Sequence, residues 1–433
     1  MNLTDNQKYA ACRGALLTSS PVDNLTHSLM GMVAGEAVAR LTPASQGGLN
    51  VESRRGMLVT LATVGGNLPD IDLVLTYRGF VRDKLGYLLE HRGYTHTVLG
   101  CLVLATLLFA AAEGWARYRR LSMARGDHLL LAAVAVFGTL LHLAMDALNS
   151  YGVHPLWPFY NGWVYGDSIF IVEPLYWLAA APLFFVAKSI AARAVVATAV
   201  LAGLVGSLLM SPGWLWLVLL ALITCGLLIV GARYTVTTSA LASAAATVCV
   251  TAGLAIAGQI AVRDINSVAA RDFPDDTIID HVLSPIPTNP FCWDVLLLAT
   301  HGDRYIARHG MLSAAPGLVS AQSCSTKLVS KDTTVPMTAV HASEVPDTAW
   351  FGEFSMPVSR LANLTARNCE AAALMQFVRA PFVVERKSGW VIGDLRFDRE
   401  RGLGLAEIEV AATHTGECPP PAPWLPPRGA LLK

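Results

Sequence analysis

Histidines and aspartates gather in five short stretches of the first 170 residues: Thr26-His27, Pro69-Asp70-Ile71-Asp72, His91-Arg92-Gly93-Tyr94-Thr95-His96, His142-x-x-x-Asp146-x-x-Asn149-Ser150 and Gly166-Asp167. Imidazole nitrogens suit zinc, and a mixed imidazole and carboxylate set also admits manganese or iron. His142 and Asp146 are four apart, so on a helix they share a face and can grip one ion together. Asp70 and Asp72 have the spacing of carboxylates that bridge two cations, a device that polarises a phosphoryl or acyl oxygen and activates water. His91 and His96 flank Gly93, whose freedom permits a tight turn. Leu143 excludes the H-E-x-x-H peptidase pattern, because the glutamate that acts as its base is missing.

Taken singly, each stretch has an ordinary structural use. Asp70 can cap the segment that follows, Thr95 can be a helix N-cap with His96 beside it, and His27 can be a core histidine. What raises their weight is where the chain must put them. The 433 residues are 53% hydrophobic and 15% charged, with a mean hydropathy of +0.46, the balance of an integral membrane protein. A net charge of zero argues against nucleic acid as a partner. Apolar runs at Thr97–Trp115, His128–Leu148, Pro174–Ala187, Ala194–Met210, Trp214–Gly231 and Ala240–Val262 are candidate spans, preceded by the shorter Leu25–Leu41 and Met57–Leu68. If these alternate across the bilayer, His27, Asp70, Asp72, His91, His96, His142, Asp146 and Asp167 all fall at one face. Ionisable groups set against lipid are costly, so such a gathering asks for a function. Arg40, Arg54, Arg55, Arg117, Arg119, Arg120, Arg125, Lys188, Arg193 and Arg233 collect at the other face, which the positive-inside rule makes cytoplasmic.

The expected fold is mostly α: a polytopic helical membrane domain followed by a soluble α+β domain. Residues 1–22 form a tail without a hydrophobic signal region, one that need not be native. Residues 23–175 form the metal-binding core, 176–262 add further spans, and 263–433 form the soluble domain on the ligand side, expected in the periplasm. Strand-like alternation marks Phe382–Glu385, Trp390–Phe397 and Leu405–Val410, and helical spacing marks Leu361–Phe377. Cys292, Cys324, Cys369 and Cys418 fall in that last domain. Outside the cytoplasm they would pair as two disulfides, with three connectivities open.

The motifs Asn24-Leu25-Thr26-His27, Leu68-Pro69-Asp70-Ile71-Asp72, His91-Arg92-Gly93-x-Thr95-His96 and His142-x-x-x-Asp146-x-x-Asn149-Ser150-Tyr151-Gly152 together resemble the bacterial inner-membrane metal-dependent hydrolases of the YdjM-like family, over about residues 23–175. Their order is also similar, more distantly, to that of zinc-dependent phospholipase C. The later H-x-x-x-E pair of that group has no counterpart here, since Glu173 lacks a histidine four residues earlier.

The resulting expectation is a multi-pass inner-membrane hydrolase of a phosphoester or acyl bond, in a lipid or small-molecule substrate at the bilayer surface. One or two divalent ions, zinc favoured, would be held by His27, Asp70, Asp72, His91, His96, His142 and Asp146. Asp167 would be a further ligand or general base, and Arg92 and Asn149 would meet the substrate. Arg78, Arg82 and Lys84 are further candidates to hold an anionic head group. The competing expectation is a metal that only clips helix ends together, leaving the C-terminal domain to bind or assemble.

Overall fold

The computed structural model describes residues 24–44, 46–73, 84–210, 213–324, 334–340, 345–386, 389–398, 402–411, 413 and 416–432. The first helix, α1 (24–41), lies against α2 (Val51–Gly65). Small residues let them touch: a Cβ on Gly31 would sit 2.6 Å from the Ala62 carbonyl oxygen and the Thr63 Cα. Without a hydrophobic drive between helices in lipid, this closeness is how such pairs gain packing energy. Asn50 starts α2 by accepting a hydrogen bond from the Ser53 amide at 2.8 Å.

After Asp72 come α3 (Lys84–Glu90), a tight turn through His91–His96, and then α4 (Val98–Tyr118) and α5 (Arg125–Ala147). Helices α4, α5, α8 (Ile190–Met210), α9 (Trp214–Arg233) and α10 (Val236–Asp272) are each long and apolar enough to cross a membrane. Leu107, Leu201, Leu222 and Val248 are exposed along them. That apolar exterior suits lipid and would be a liability in water.

The expected span Pro174–Ala187 differs from its prediction. It forms two short helices, α6 (Leu175–Ala179) and α7 (Leu183–Val186), interrupted at 180–182. Pro182, at the start of α7, cannot donate to a continuing helix. The break is tolerated because Tyr176, Leu178, Ala180, Ala181 and Leu183 are buried within protein and away from lipid. The segment still runs from the ligand face to the opposite one, where the Val186 carbonyl accepts from Arg55 at 3.2 Å and Lys188 pairs with Glu52 at 2.6 Å.

Helix α10 continues past the expected boundary to Asp272 and leads into the C-terminal domain. There β1 (Thr277–Ile286), β2 (Asn289–His301), β3 (Arg304–Ser313) and β4 (Thr348–Pro357) form an antiparallel sheet in that order. These four strands carry mixed burial patterns that simple alternation did not reveal. A second antiparallel sheet joins β5 (Pro381–Arg386), β6 (Gly389–Asp394) and β7 (Glu407–Val410) where alternation was expected. Between the sheets lie α11 (Val358–Arg367) and α12 (Cys369–Leu374); the helical stretch is split at Asn368, whose side chain caps α12. The disulfides are Cys292–Cys324 and Cys369–Cys418, which selects one of the three connectivities.

This domain sits directly on the ligand face. Leu85, Leu88 and Leu89 share one core with Phe377, Phe382 and Trp424. The Trp424 indole donates to the Leu89 carbonyl at 2.7 Å, and the Trp163 indole to that of Gln376 at 2.9 Å.

Candidate metal centre

Three chain segments place four donors at one point. His142 and Asp146 come from the last turn of α5, Asp70 from the 3₁₀ turn after α2, and His96 from the turn before α4. Each helix end delivers its side chains where the spans stop and the C-terminal domain begins. The His96 and His142 Nε2 atoms are 3.1 Å apart. His96 Nε2 lies 3.3 Å from Asp70 Oδ1 and 3.2 Å from Asp146 Oδ2, and His142 Nε2 lies 3.5 Å from each of those oxygens. Four donors held tetrahedrally at bond lengths of about 2.0–2.1 Å are separated by edges of about 3.3–3.4 Å. All five of these separations fall around that value, so the donor set could hold one metal ion.

The rings are held for that purpose. His142 Nδ1 is 2.7 Å from the Gly66 carbonyl, to which it can only donate, so its Nε2 lone pair faces inward. His96 Nδ1 lies 3.0 Å from Thr95 Oγ1 and 3.3 Å from Asp72 Oδ2. A carboxylate behind a metal-facing imidazole fixes the tautomer and makes the ring a better ligand. Asp146 turns its other oxygen toward Arg92, at 3.0 Å, and toward His27 Nε2, at 3.5 Å. His27 also stacks on His142, with ring centroids 4.0 Å apart.

A second group, Asp70, Asp72 and His91, shares Asp70 with the first, and its ligand atoms lie within 4.8 Å of one another. Asp72 Oδ1 is 3.1 Å from His91 Nδ1, while Oδ2 accepts from the Arg92 amide and from Thr95 Oγ1. Asp72 therefore serves both as a candidate ligand and as the orienter of His96.

The local field favours positive charge at the centre. Burial pushes the Asp70 and Asp72 carboxyls up, but the neighbouring imidazoles outweigh it and hold both well below the usual range. Burial likewise pushes His96 down, and the Asp72, Asp146 and Asp70 carboxylates raise it well above an ordinary histidine.

Seven expected ligands thus come together, five in the two donor groups proper besides the shared Asp70, with His27 against Asp146. The two expected substrate residues face inward. Arg92 is buried, bonds Asn149 Oδ1 at 3.1 Å and lies over the Tyr151 ring, and Asn149 also accepts from the Tyr151 amide at 2.9 Å. Arg92 braces Asp146, and Asn149 also lines the crevice beside the centre. Asp167 is not brought to the cluster. Its two oxygens take a forked pair of hydrogen bonds from Arg379, at 2.8 and 2.7 Å, a lock between the membrane loop and the C-terminal domain. Both carboxylate oxygens are thus engaged by Arg379. Lys84 donates instead to the carbonyls of Leu403, Gly404 and Glu407. Arg78 and Arg82 lie outside the described residues.

Glu173 is set aside on sequence for want of a histidine four residues earlier, yet it stands beside the centre. It is buried, its Oε1 accepts from the Leu175 and Thr288 amides, and its Oε2 has no hydrogen-bond partner. Burial pushes its carboxyl up to about 7. It lines a narrow crevice with Thr26, His27, Asp146 and Asn149, which reaches the edge of the centre. An acidic residue just before Pro174 in an apolar stretch was the available signal.

Residues 22–215 match the family model described as YdjM inner membrane protein, so the resemblance drawn from the motifs holds over that portion of the chain. Helix α10, nearly all of α9 and the C-terminal domain lie beyond the match. No curated protein and no solved structure matches this chain.

Proposed function

We propose that this chain, with its YdjM-type inner-membrane portion, is a metal-dependent hydrolase of a phosphoester or acyl bond at the membrane face. The observation that carries the reading is the close set of His96, His142, Asp70 and Asp146, whose donor atoms stand 3.1–3.5 Å apart in five of their pairings, adjoined by a second group through Asp70. Zinc is the ion that this imidazole content and edge length favour. When bound, such ions polarise the oxygen of the scissile bond and lower the pKa of water towards about 7.

The chain's own residues supply the rest. Gly66, Asp72 and Thr95 keep both Nε2 atoms presented, and Arg92 holds Asp146 in place. Hydrolysis requires the attacking water to lose a proton and the leaving oxygen to gain one. Glu173, with a free oxygen in the crevice and a carboxyl raised toward neutrality, is placed to carry that proton. The disulfides and the basic residues at the far ends of the spans support a periplasmic position for the centre and the C-terminal domain.

The test is metal analysis of detergent-purified wild type beside His142→Ala and Asp70→Ala, with release of p-nitrophenol from phosphate and carboxylate esters as the activity. Metal in the wild type, lost from both variants together with hydrolysis, is the expected result. Equal metal in all three overturns it.

One observation favours a second reading. The first group presents four protein donors, and His96 and His142 are wholly buried, as in a structural site. A purified protein that retains its metal against a small chelator, and hydrolyses neither ester class, would identify a clip and not an active centre.

A further inference from the structure

Beside the crevice at the centre lies a second, much larger hollow. It is a groove of about 320 Å³ between α1, α5 and α10, walled by residues such as Val33, Leu141 and Val248. Nearly every wall residue is apolar. Two of the surrounding helices, α5 and α10, are membrane-spanning, and Phe137 and Val248 at its edge are exposed, so it opens where lipid tails lie. Met145 and Tyr176 line both hollows, so the apolar groove and the polar crevice meet across these two side chains. Tyr176 is fixed there by a hydrogen bond between its hydroxyl and Thr251 Oγ1 at 3.0 Å.

We infer that this groove holds an acyl chain of a membrane lipid, with the lipid's polar linkage lying in the crevice beside His27 and Asp146. Lipid is the occupant because the groove opens within the spanning region and ends at polar residues. A second protein helix would need a broad flat face instead of a groove bounded by three helices. Transfer of a chain from bilayer to groove gains little hydrophobic energy, since lipid tails are as apolar as the groove walls. Selection therefore rests on shape and on the head group. The inference deepens the hydrolase reading by naming its substrate class, and it rests on that reading only for what happens to the lipid after it binds.

Photolabelling tests it without requiring turnover. The full-length protein is placed in phosphatidylethanolamine vesicles that contain a trace of phosphatidylglycerol with a diazirine near the end of one acyl chain. Adduct positions are then mapped by mass spectrometry. Adducts concentrated on the groove segments of α1, α5 and α10 are expected. Filling the groove from either of two helices, with Ala34→Phe or Ala244→Phe, should lower that labelling at least about fivefold, while labelling on the outer face of α9 stays unchanged. The monodisperse elution of each variant checks that it is folded, and one folded filler is sufficient. His142→Ala should keep the groove labelling even though hydrolysis is lost, whereas wild-type protein that labels in the groove but cleaves no lipid would sink the hydrolase reading and leave this one standing. Labelling spread evenly over all lipid-facing helices, or undiminished in a folded filler, overturns the groove.

Discussion

The centre depends on single atoms whose roles differ. His142 contributes a ligand atom to the first group, so His142→Ala should bring bound metal below about a tenth of the wild-type amount. Asp72→Asn keeps the shape behind His96 but weakens the carboxylate's hold on the ring, and should lower metal affinity by about 10–100-fold in a competition titration. Asp167 separates the expected from the observed role. Asp167→Ala should leave metal content unchanged and destabilise the fold toward the lower end of about 3–5 kcal/mol in denaturant melts, because Arg379 loses one buried partner and keeps Asp280. For Glu173, the sign follows from its carboxyl being raised to about 7. It is protonated below that pH and ionised above it. If it donates the proton to the leaving oxygen, activity falls as pH rises through about 7. Glu173→Gln should abolish that limb of the pH–rate profile and lower the rate by about 10²–10⁴-fold.

At the scale of elements, the precision of the site comes from how closely helices approach. Gly31 and Gly35 face α2 with no room for a further carbon, and Gly65 of α2 faces Gly138 of α5, where an added carbon would be crowded at 3.1–3.2 Å. Gly31→Val would press on the Ala62 and Thr63 backbone, which cannot yield as a side-chain tip can. The expected cost is about 1–3 kcal/mol of stability, and metal content should fall as well, because α1 carries His27 and α2 leads to Asp70. A stability loss at unchanged metal content would show that these helix ends tolerate displacement. The broken segment α6–α7 matters in the same way: it brings Glu173 to the crevice and Tyr176 to the groove.

Across the whole molecule, the C-terminal domain acts as a cover fixed to the membrane loop. Arg396 donates to the carbonyls of Ser150 and Tyr151, and Arg379 links Asp167 to Asp280. Loops of 32 and 49 residues are closed by the disulfides, and on chain entropy alone each stabilises by about 4 kcal/mol. A reductant should therefore lower the unfolding midpoint of the purified protein, and alkaline phosphatase fused after the last residue should be active if the cover is periplasmic. An inactive fusion, with a fluorescent protein bright at the same point, would place the centre in the cytoplasm.

The residue types and their spacing determined the membrane character, the candidate donors and the shared face. Hydropathy sets where spans end, and the candidate donors stand at those ends. The four-apart pair His142 and Asp146 was legible for the same reason, since helical periodicity alone puts both on one side. Tertiary structure alone decided the rest. Which oxygen of Asp146 faces the imidazoles, why Asp167 serves a distant arginine and how Glu173 enters the crevice all depend on contacts between segments far apart in sequence. Local patterning carries no record of such pairings. They are fixed only when glycine-lined helices close together and the C-terminal domain settles over their ends.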